Sequence, residues 1–459
     1  MIALPIDFQQ RMKTRLGVAY DDFLNALIAT NAPISIRQNP LKKSTLTWKN
    51  TTPIPWEKNG FYLEERPVFT LDPAFHAGVY YVQEASSMLI GYALQQKVDF
   101  SKSLKILDLC AAPGGKSTLL ASLMNENSIL LTNEVIKSRV TILKENIHKW
   151  GNPNVMISNH EVEEMSALEG FFDVILIDAP CSGEGLFRKD ENAKKEWSLD
   201  NVNLCSTRQR KIVGNAISLL REGGILLYST CTYNDDENIN NVEWITQTFD
   251  CQSEKIDCPE DWGVESIEKN NNFAYQCFPH KVKGEGFFFS IFTKKSHTIS
   301  NKNASFFNKN VVIEALAKKE SERLTPWLQS PDNLNFYRKG NGTIVAVPKA
   351  IAQPCAEIER ALRRVSFGID LGEFKGQDFI PAHDLALSNL IAPNIQALDL
   401  SREEALLFLK KELQMVDSTL KGWTLARYEG LNLGWMKILP NRINNYLPTE
   451  FRIRMDLPV

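Results

Sequence analysis

The chain has 459 residues, 43% of them hydrophobic, and a formal net charge of -3. That length exceeds a single domain of roughly 100 to 200 residues, and the near-neutral balance excludes the global basic field of a histone-like nucleic-acid binder, so any such contact must be local. The opening MIALPIDFQQRMKTRLG lacks the basic and apolar runs of an export signal, no later segment approaches about 18 uninterrupted apolar residues, and the eight dispersed cysteines without a CxxC pair exclude a disulfide scaffold and give no zinc spacing.

Residues 1–70 mix a helical pattern with PISIRQNPLK and several prolines, which predicts a small α/β cap. From 71 to 296 short β-branched runs alternate with helical stretches: LKILDLC (104–110), SILLTNE (128–134), NVMISNHE (154–161), FFDVILIDAP (171–180) and GGILLYSTC (223–231). That alternation predicts a doubly wound, mostly parallel sheet, with GFFFSIFTKK (286–295) as a last, edge strand. Residues 281–323 hold nine Lys or Arg against four Glu and lose the alternation, so 297–375 reads as a basic linker unit. The tail, 376–459, reads as a small β-rich module with helices.

The turn DLCAAPGGKST at 108–118 carries the question of ligand. A phosphate-cradling GxxxxGK[ST] loop would need glycine at 110, where Cys110 stands, and Pro113 removes an amide donor. The other reading is the first strand-to-helix turn of a methyltransferase-like sheet. There Gly114 and Gly115 let the backbone approach an adenosine-containing cofactor that has no phosphate. It places Glu134, at the second strand's end, on the ribose hydroxyls, and Glu161, at the third strand's end, on the adenine. A plainer reading remains beside it, in which Glu134 merely begins a helix and favours its dipole.

Strands four and five of such a sheet are neighbours whose carboxyl ends share one crevice. They end DAPCSGEG and YSTCTYN, which brings Cys181 and Cys231 to the same cleft. A single cysteine after a strand is ordinarily a small buried hydrophobe; two at adjacent strand ends argue for chemistry.

The blocks DLCAAPGGKST, DAPCSGEGLFRKD, YSTCTYNDDEN and FPHKVKGEGFFFS, in this order, resemble the Sun/Nop family of RNA cytosine carbon-5 methyltransferases, as do the upstream IRQNPLK and YYVQEASSML. The tail resembles the linker and PUA-like RNA-binding module of the bacterial branch that modifies small-subunit ribosomal RNA. The resemblance implies a class I, Rossmann-like methyltransferase domain with a seven-stranded, mostly parallel sheet. It implies S-adenosyl-L-methionine held by Cys110, Ala111, Ala112, Pro113, Gly114, Gly115, Lys116, Glu134, Glu161 and Asp178. It further implies 5-methylcytosine as product, Cys231 as nucleophile, Cys181 in product release, and Asp178 and Lys116 beside the reacting base. Glu161 departs from the aspartate usual in the family. Arg37 and Arg188 are candidate RNA contacts, with ribosomal RNA or the small subunit as partner.

A P-loop NTPase is disfavoured by Cys110 and Pro113, and a DNA cytosine methyltransferase by the absence of a Glu-Asn-Val motif. A non-catalytic RNA-binding assembly factor on the same fold stays open. The expectation is a cytoplasmic monomer with reduced thiols, without metal or membrane association.

Overall fold

The computed structural model describes residues 3–42, 48, 50–296 and 314–457. The middle of the basic segment, 297–313, lies outside the described residues.

Five parallel strands form the heart of the molecule: β1 (Lys105–Asp108), β2 (Ile129–Asn133), β3 (Val155–Ser158), β4 (Phe172–Asp178) and β5 (Leu220–Thr230). They lie in the order β3-β2-β1-β4-β5 and continue through two antiparallel strands, β7 (Phe287–Lys294) and then β6 (Asn272–Cys277). Every residue of β2 and β3 is buried, as a parallel strand covered by helices on both faces requires. Three short strands, Cys251–Ser253, Glu265–Lys269 and Val365–Ser366, extend this seven-stranded core to ten.

The final strand departs from expectation. β7 is an interior strand, held between β5 and β6, and almost all of its residues are buried. The Phe-rich run has the composition of a doubly covered strand, and its partner β6 is six residues with little alternation to announce it.

The cap comprises helices Ile6–Leu16 and Tyr20–Ile28 and a four-stranded antiparallel sheet. That sheet takes Tyr80–Val82 as one edge, so the cap's pairing runs past residue 70. Cap residues Phe8 and Phe23 pack in one apolar cluster with Phe187, Trp197, Tyr233 and Phe278, which fixes the cap over the loops that follow β4 and β5.

The C-terminal region folds as a five-stranded sheet from Glu314–Ala315 to Asp378–Pro381 and a four-stranded one from Ala397–Asp399 to Arg442–Asn445. Neither is isolated. Val345, Val347, Ile358 and Phe367 share a core with Leu107, Ile175 and Leu226 of the central sheet, while Phe408 and Met436 share one with Ile36 and Tyr80 of the cap. Among the described residues no helix is long and apolar enough to cross a membrane, and no group of three or more His, Cys, Asp or Glu side chains could hold a metal ion.

Candidate active site

Strand order reverses between β1 and β4, and the crevice at their carboxyl ends is the place where such sheets bind ligands. The chain leaves β1 through Cys110 to Gly114 and enters α1 (Gly115–Leu123). Gly114 caps the helix with φ +113°, and a Cβ there would stand 3.3 Å from Leu143 Cδ1, so both backbone and space favour glycine. The Ala111 amide donates to the Asn133 carbonyl at 2.8 Å, tying the turn to the end of β2.

This turn opens on a cavity of about 370 Å3. Its wall includes Cys110, Ala111, Ala112, Pro113, Gly115 and Lys116 from the turn, Asp178 from β4, Cys231 from β5, and Lys189, Glu285 and Phe287 across the mouth. A second cavity of about 360 Å3, between the far end of α1 and the C-terminal region, has Asn152, Asn333 and Asn389 on its wall and no thiol.

At the floor, Lys116 Nζ lies 2.7 Å from Asp178 Oδ2, and Ser229 Oγ donates to Asp178 Oδ1 at 2.8 Å. Burial would lower the Lys116 ammonium, but the Asp178 carboxylate, and to a lesser degree the field of Cys231, outweigh it and hold its pKa above the ordinary lysine value. Beneath lies Asp108, fully buried, accepting from Ser117 Oγ at 2.6 Å. Desolvation pushes its pKa up to about 7.

The two cysteines meet at one edge. Cys181 Sγ is 3.2 Å from Cys231 Sγ, and the Cys231 amide points at the same Cys181 sulfur from 3.4 Å. The shared hydrogen bond with Cys231, then burial, raise the Cys181 pKa well above that of a free thiol. Two buried glutamates hold the loops that carry these sulfurs. Glu237 accepts from the Ser182 amide at 3.0 Å, and Glu184 accepts from the Tyr233 amide and Trp197 Nε1 at 2.8 and 2.9 Å. Neither glutamate was singled out from sequence, though an acid among the small polar residues of CSGEG and TYNDDEN is the available signal.

Glu134, at the end of β2, is buried; its Oε1 accepts from the Ile136 amide at 2.9 Å and its Oε2 pairs with Arg139 at 3.2 Å. The same Arg139 donates to the Ala112 carbonyl at 2.6 Å, so this acid is linked to the turn. Three sequence expectations need correction. Glu161 is exposed and serves a capping box at the start of the helical turn Val162–Leu168, exchanging bonds with Glu164 rather than lining the cavity. Arg37 is fully buried: it donates to Gln83 Oε1 at 2.9 Å, the Gly115 carbonyl at 3.2 Å and Thr118 Oγ1 at 2.6 Å, bracing the turn from behind instead of meeting RNA. The Arg188 side chain is 5% exposed and is consumed by Glu285, the Gly284 carbonyl and Thr30. For the two arginines, segments distant in the chain supply partners that draw the side chain in, whereas Glu161 stays exposed and is taken up by the cap of its own helical turn.

The comparisons with known proteins fall on all three regions. Residues 96–293 match the family described as 16S rRNA methyltransferase RsmB/F. Residues 4–85 match the N-terminal domain of 16S rRNA methyltransferase RsmF, and 395–453 the methyltransferase RsmF PUA domain. The chain is 32% identical to the ribosomal RNA small subunit methyltransferase F of Vibrio vulnificus (strain YJ016), over 98% of each chain. It is 30% identical to the protein of that name from Escherichia coli O157:H7 (strain EC4115 / EHEC), over 96% of this chain and 95% of the other. Among solved structures, a methyltransferase homolog protein from Pyrococcus horikoshii is 26% identical, with a TM-score of 0.53 over 62% of this chain and 94% of that one. NSun6 from the same organism, at 21% identity and a TM-score of 0.53 over 64% of this chain and 98% of that one, shares the fold. With relatives at this identity spanning nearly the whole of both partners, the chain belongs to the RsmB/F family of 16S rRNA methyltransferases.

Proposed function

We propose that this protein methylates carbon 5 of a cytosine in 16S ribosomal RNA, taking the methyl group from S-adenosyl-L-methionine and passing through a covalent bond between Cys231 and the base. The observation that carries this reading is the pair of sulfurs 3.2 Å apart, one of them on the wall of the cavity floored by Lys116 and Asp178.

The residues present fit the cofactor. The turn at 110–115 brings backbone to the cavity, where a Cβ at Gly115 would stand 3.3 Å from Tyr81 Cε1 on the same wall, and a cavity of about 370 Å3 is in the range that takes a ligand of this size. Cys110 to Pro113, Gly115, Lys116 and Asp178 would hold it along the wall, and Glu134, buried off that wall at the end of β2, braces the turn through Arg139. When bound, S-adenosyl-L-methionine supplies an electrophilic methyl group.

Carbon 5 of cytosine is a weak nucleophile, and Cys231, its proton released to solvent, overcomes this by adding to carbon 6 as the thiolate. The new sulfur–carbon bond pushes the ring's π electrons toward carbon 5 and nitrogen 3. The Lys116 ammonium offsets the growing negative charge, and the Asp178 carboxylate accepts from the exocyclic amine, holding that edge of the base. Carbon 5 then forms its bond to the methyl group while retaining its proton. Cys181, once it has passed its own proton to solvent, takes the carbon-5 proton; the electrons left behind restore the ring double bond and expel Cys231 as a thiolate. Bonding Cys231 to carbon 6 ends the hydrogen bond that chiefly holds the Cys181 pKa up, so the second sulfur becomes easier to ionise at the step that needs it.

Methyl transfer from labelled donor to 16S ribosomal RNA, followed by bisulfite sequencing, tests this. Cys231→Ala abolishes transfer, and Cys181→Ala accumulates a protein–RNA adduct that survives a denaturing gel. Normal turnover by the Cys181 variant together with an adduct in the Cys231 variant would reverse the two roles.

A further inference from the structure

Arg188 looked like the RNA contact of its loop, yet it is spent inside the protein. Its neighbour is not. The Lys189 side chain is 40% exposed, stands on the wall of the catalytic cavity, and has no hydrogen bond from its ammonium among the described residues. Of the two lysines on that wall, Lys116 is committed to Asp178.

Lys189 is also held in place. Its amide donates to the Leu186 carbonyl at 2.8 Å, closing the short turn that follows the cysteine loop. Its Nζ lies 3.6 Å from Glu285 Oε1, whose other oxygen accepts from Arg188 Nε at 3.2 Å. Glu285 is buried, so burial raises its pKa while the two cations oppose that rise. Arg188 anchors this carboxylate to Gly284 and to Thr30 of the cap, and the carboxylate in turn keeps the lysine at the mouth.

A base that reaches Cys231 must leave its stack, and its own sugar and phosphate then stay at the cavity mouth. A lysine is a compact point charge with three donors, suited to a phosphodiester approached without fixed geometry. We propose that Lys189 binds the phosphodiester of the target nucleotide, with Glu285 as the positioning residue that aims it. This rests on the reading of the cavity as the site of RNA methylation.

The test uses full-length protein and a 16S ribosomal RNA transcript, with binding measured at several salt concentrations alongside methyl transfer. Lys189→Ala should weaken binding and raise KM for RNA about tenfold while kcat falls less than twofold, and flatten the log–log salt slope by about 0.7, the value of one phosphate contact on single-stranded RNA. Lys189→Arg should recover most of both. Because the donor's carboxylate is another anion, affinity for S-adenosyl-L-methionine alone is measured by calorimetry and should stay within twofold of wild type. Glu285→Gln, which leaves the lysine charge but not its tether, should give an intermediate KM. An unchanged salt slope in Lys189→Ala, a loss confined to donor binding, or a wild type that binds no RNA overturns the proposal. Normal RNA binding by wild type with no 5-methylcytosine formed overturns the methylation reading instead.

Discussion

Cys181 Sγ stands 3.2 Å from Cys231 Sγ, and only one of the two, Cys231, is on the cavity wall. The sulfurs are thus unequal: one faces the cavity, and the other is raised in pKa chiefly by its hydrogen bond to the first. In Cys231→Ala that bond is gone while burial and the Glu237 carboxylate remain, so the Cys181 pKa should fall but stay above the ordinary thiol value. The rate of alkylation of Cys181, followed by peptide mass against pH, reads this. A midpoint that does not move between wild type and variant would refute the assigned cause.

Gly185 →Ala should damage catalysis far more than folding. A Cβ at 185 would stand 2.8 Å from the Cys231 carbonyl and 2.7 Å from that of Gly286, both backbone atoms that cannot swing aside. The Gly185 amide also donates to the Cys231 carbonyl at 2.8 Å, so the displaced loop carries Cys231 with it. A misplacement near 1 Å can cost about 100-fold in rate, and kcat should fall by about that much. Steady-state kinetics beside thermal melting separates the two effects.

Asp108→Asn should stabilise the protein at alkaline pH and not in acid. Desolvation lifts the Asp108 carboxyl to about 7, above its unfolded value of about 3.9, so the folded state holds the proton more tightly. Its stabilising contribution is complete below about pH 4, declines as pH rises through the folded value, and is absent beyond it. The asparagine side chain resembles the protonated acid and cannot ionise. Urea unfolding should show variant and wild type alike near pH 4 and separated above pH 7, by at most on the order of 4 kcal/mol, since each pKa unit is worth about 1.36 kcal/mol.

Arg37→Ala should cost stability without altering the salt dependence of RNA binding. The guanidinium sits 4.7 Å from the Trp150 ring centre and donates to three residues of α1 as well as to Gln83. Removing it leaves several buried acceptors unmet, each worth roughly 1–3 kcal/mol. A loss of about 3 kcal/mol or more in urea unfolding, with an unchanged salt slope for RNA, is the expected pair of results.

What was legible in the sequence follows a physical rule. β1 to β4 are short, almost wholly buried apolar runs and β5 carries one at 224–230, and strands of that kind announce themselves without knowledge of their neighbours. The cysteine pair was legible because adjacency of β4 and β5 places two strand ends at one crevice, whatever the loops do. Arg37, Arg188 and Glu161 were not, because their partners come from segments far along the chain or from a local cap, and residue type alone says nothing of either. β6 stayed hidden for the same reason: Asn272 to Cys277 is a strand because β7 is there to pair with it.

The strand Val365–Ser366 comes from the region that sequence separates as a linker, yet it pairs antiparallel with Ser158 and Ile157 of β3. It seals what would otherwise be an open row of amides and carbonyls along the side of the catalytic sheet, the kind of border that invites another chain to add itself. A fragment cut near residue 296 would therefore keep both sulfurs but bare that border and the apolar side chains now roofed by Val345, Ile358 and Phe367. In this molecule the segment beyond the catalytic domain is masonry, whatever else it touches.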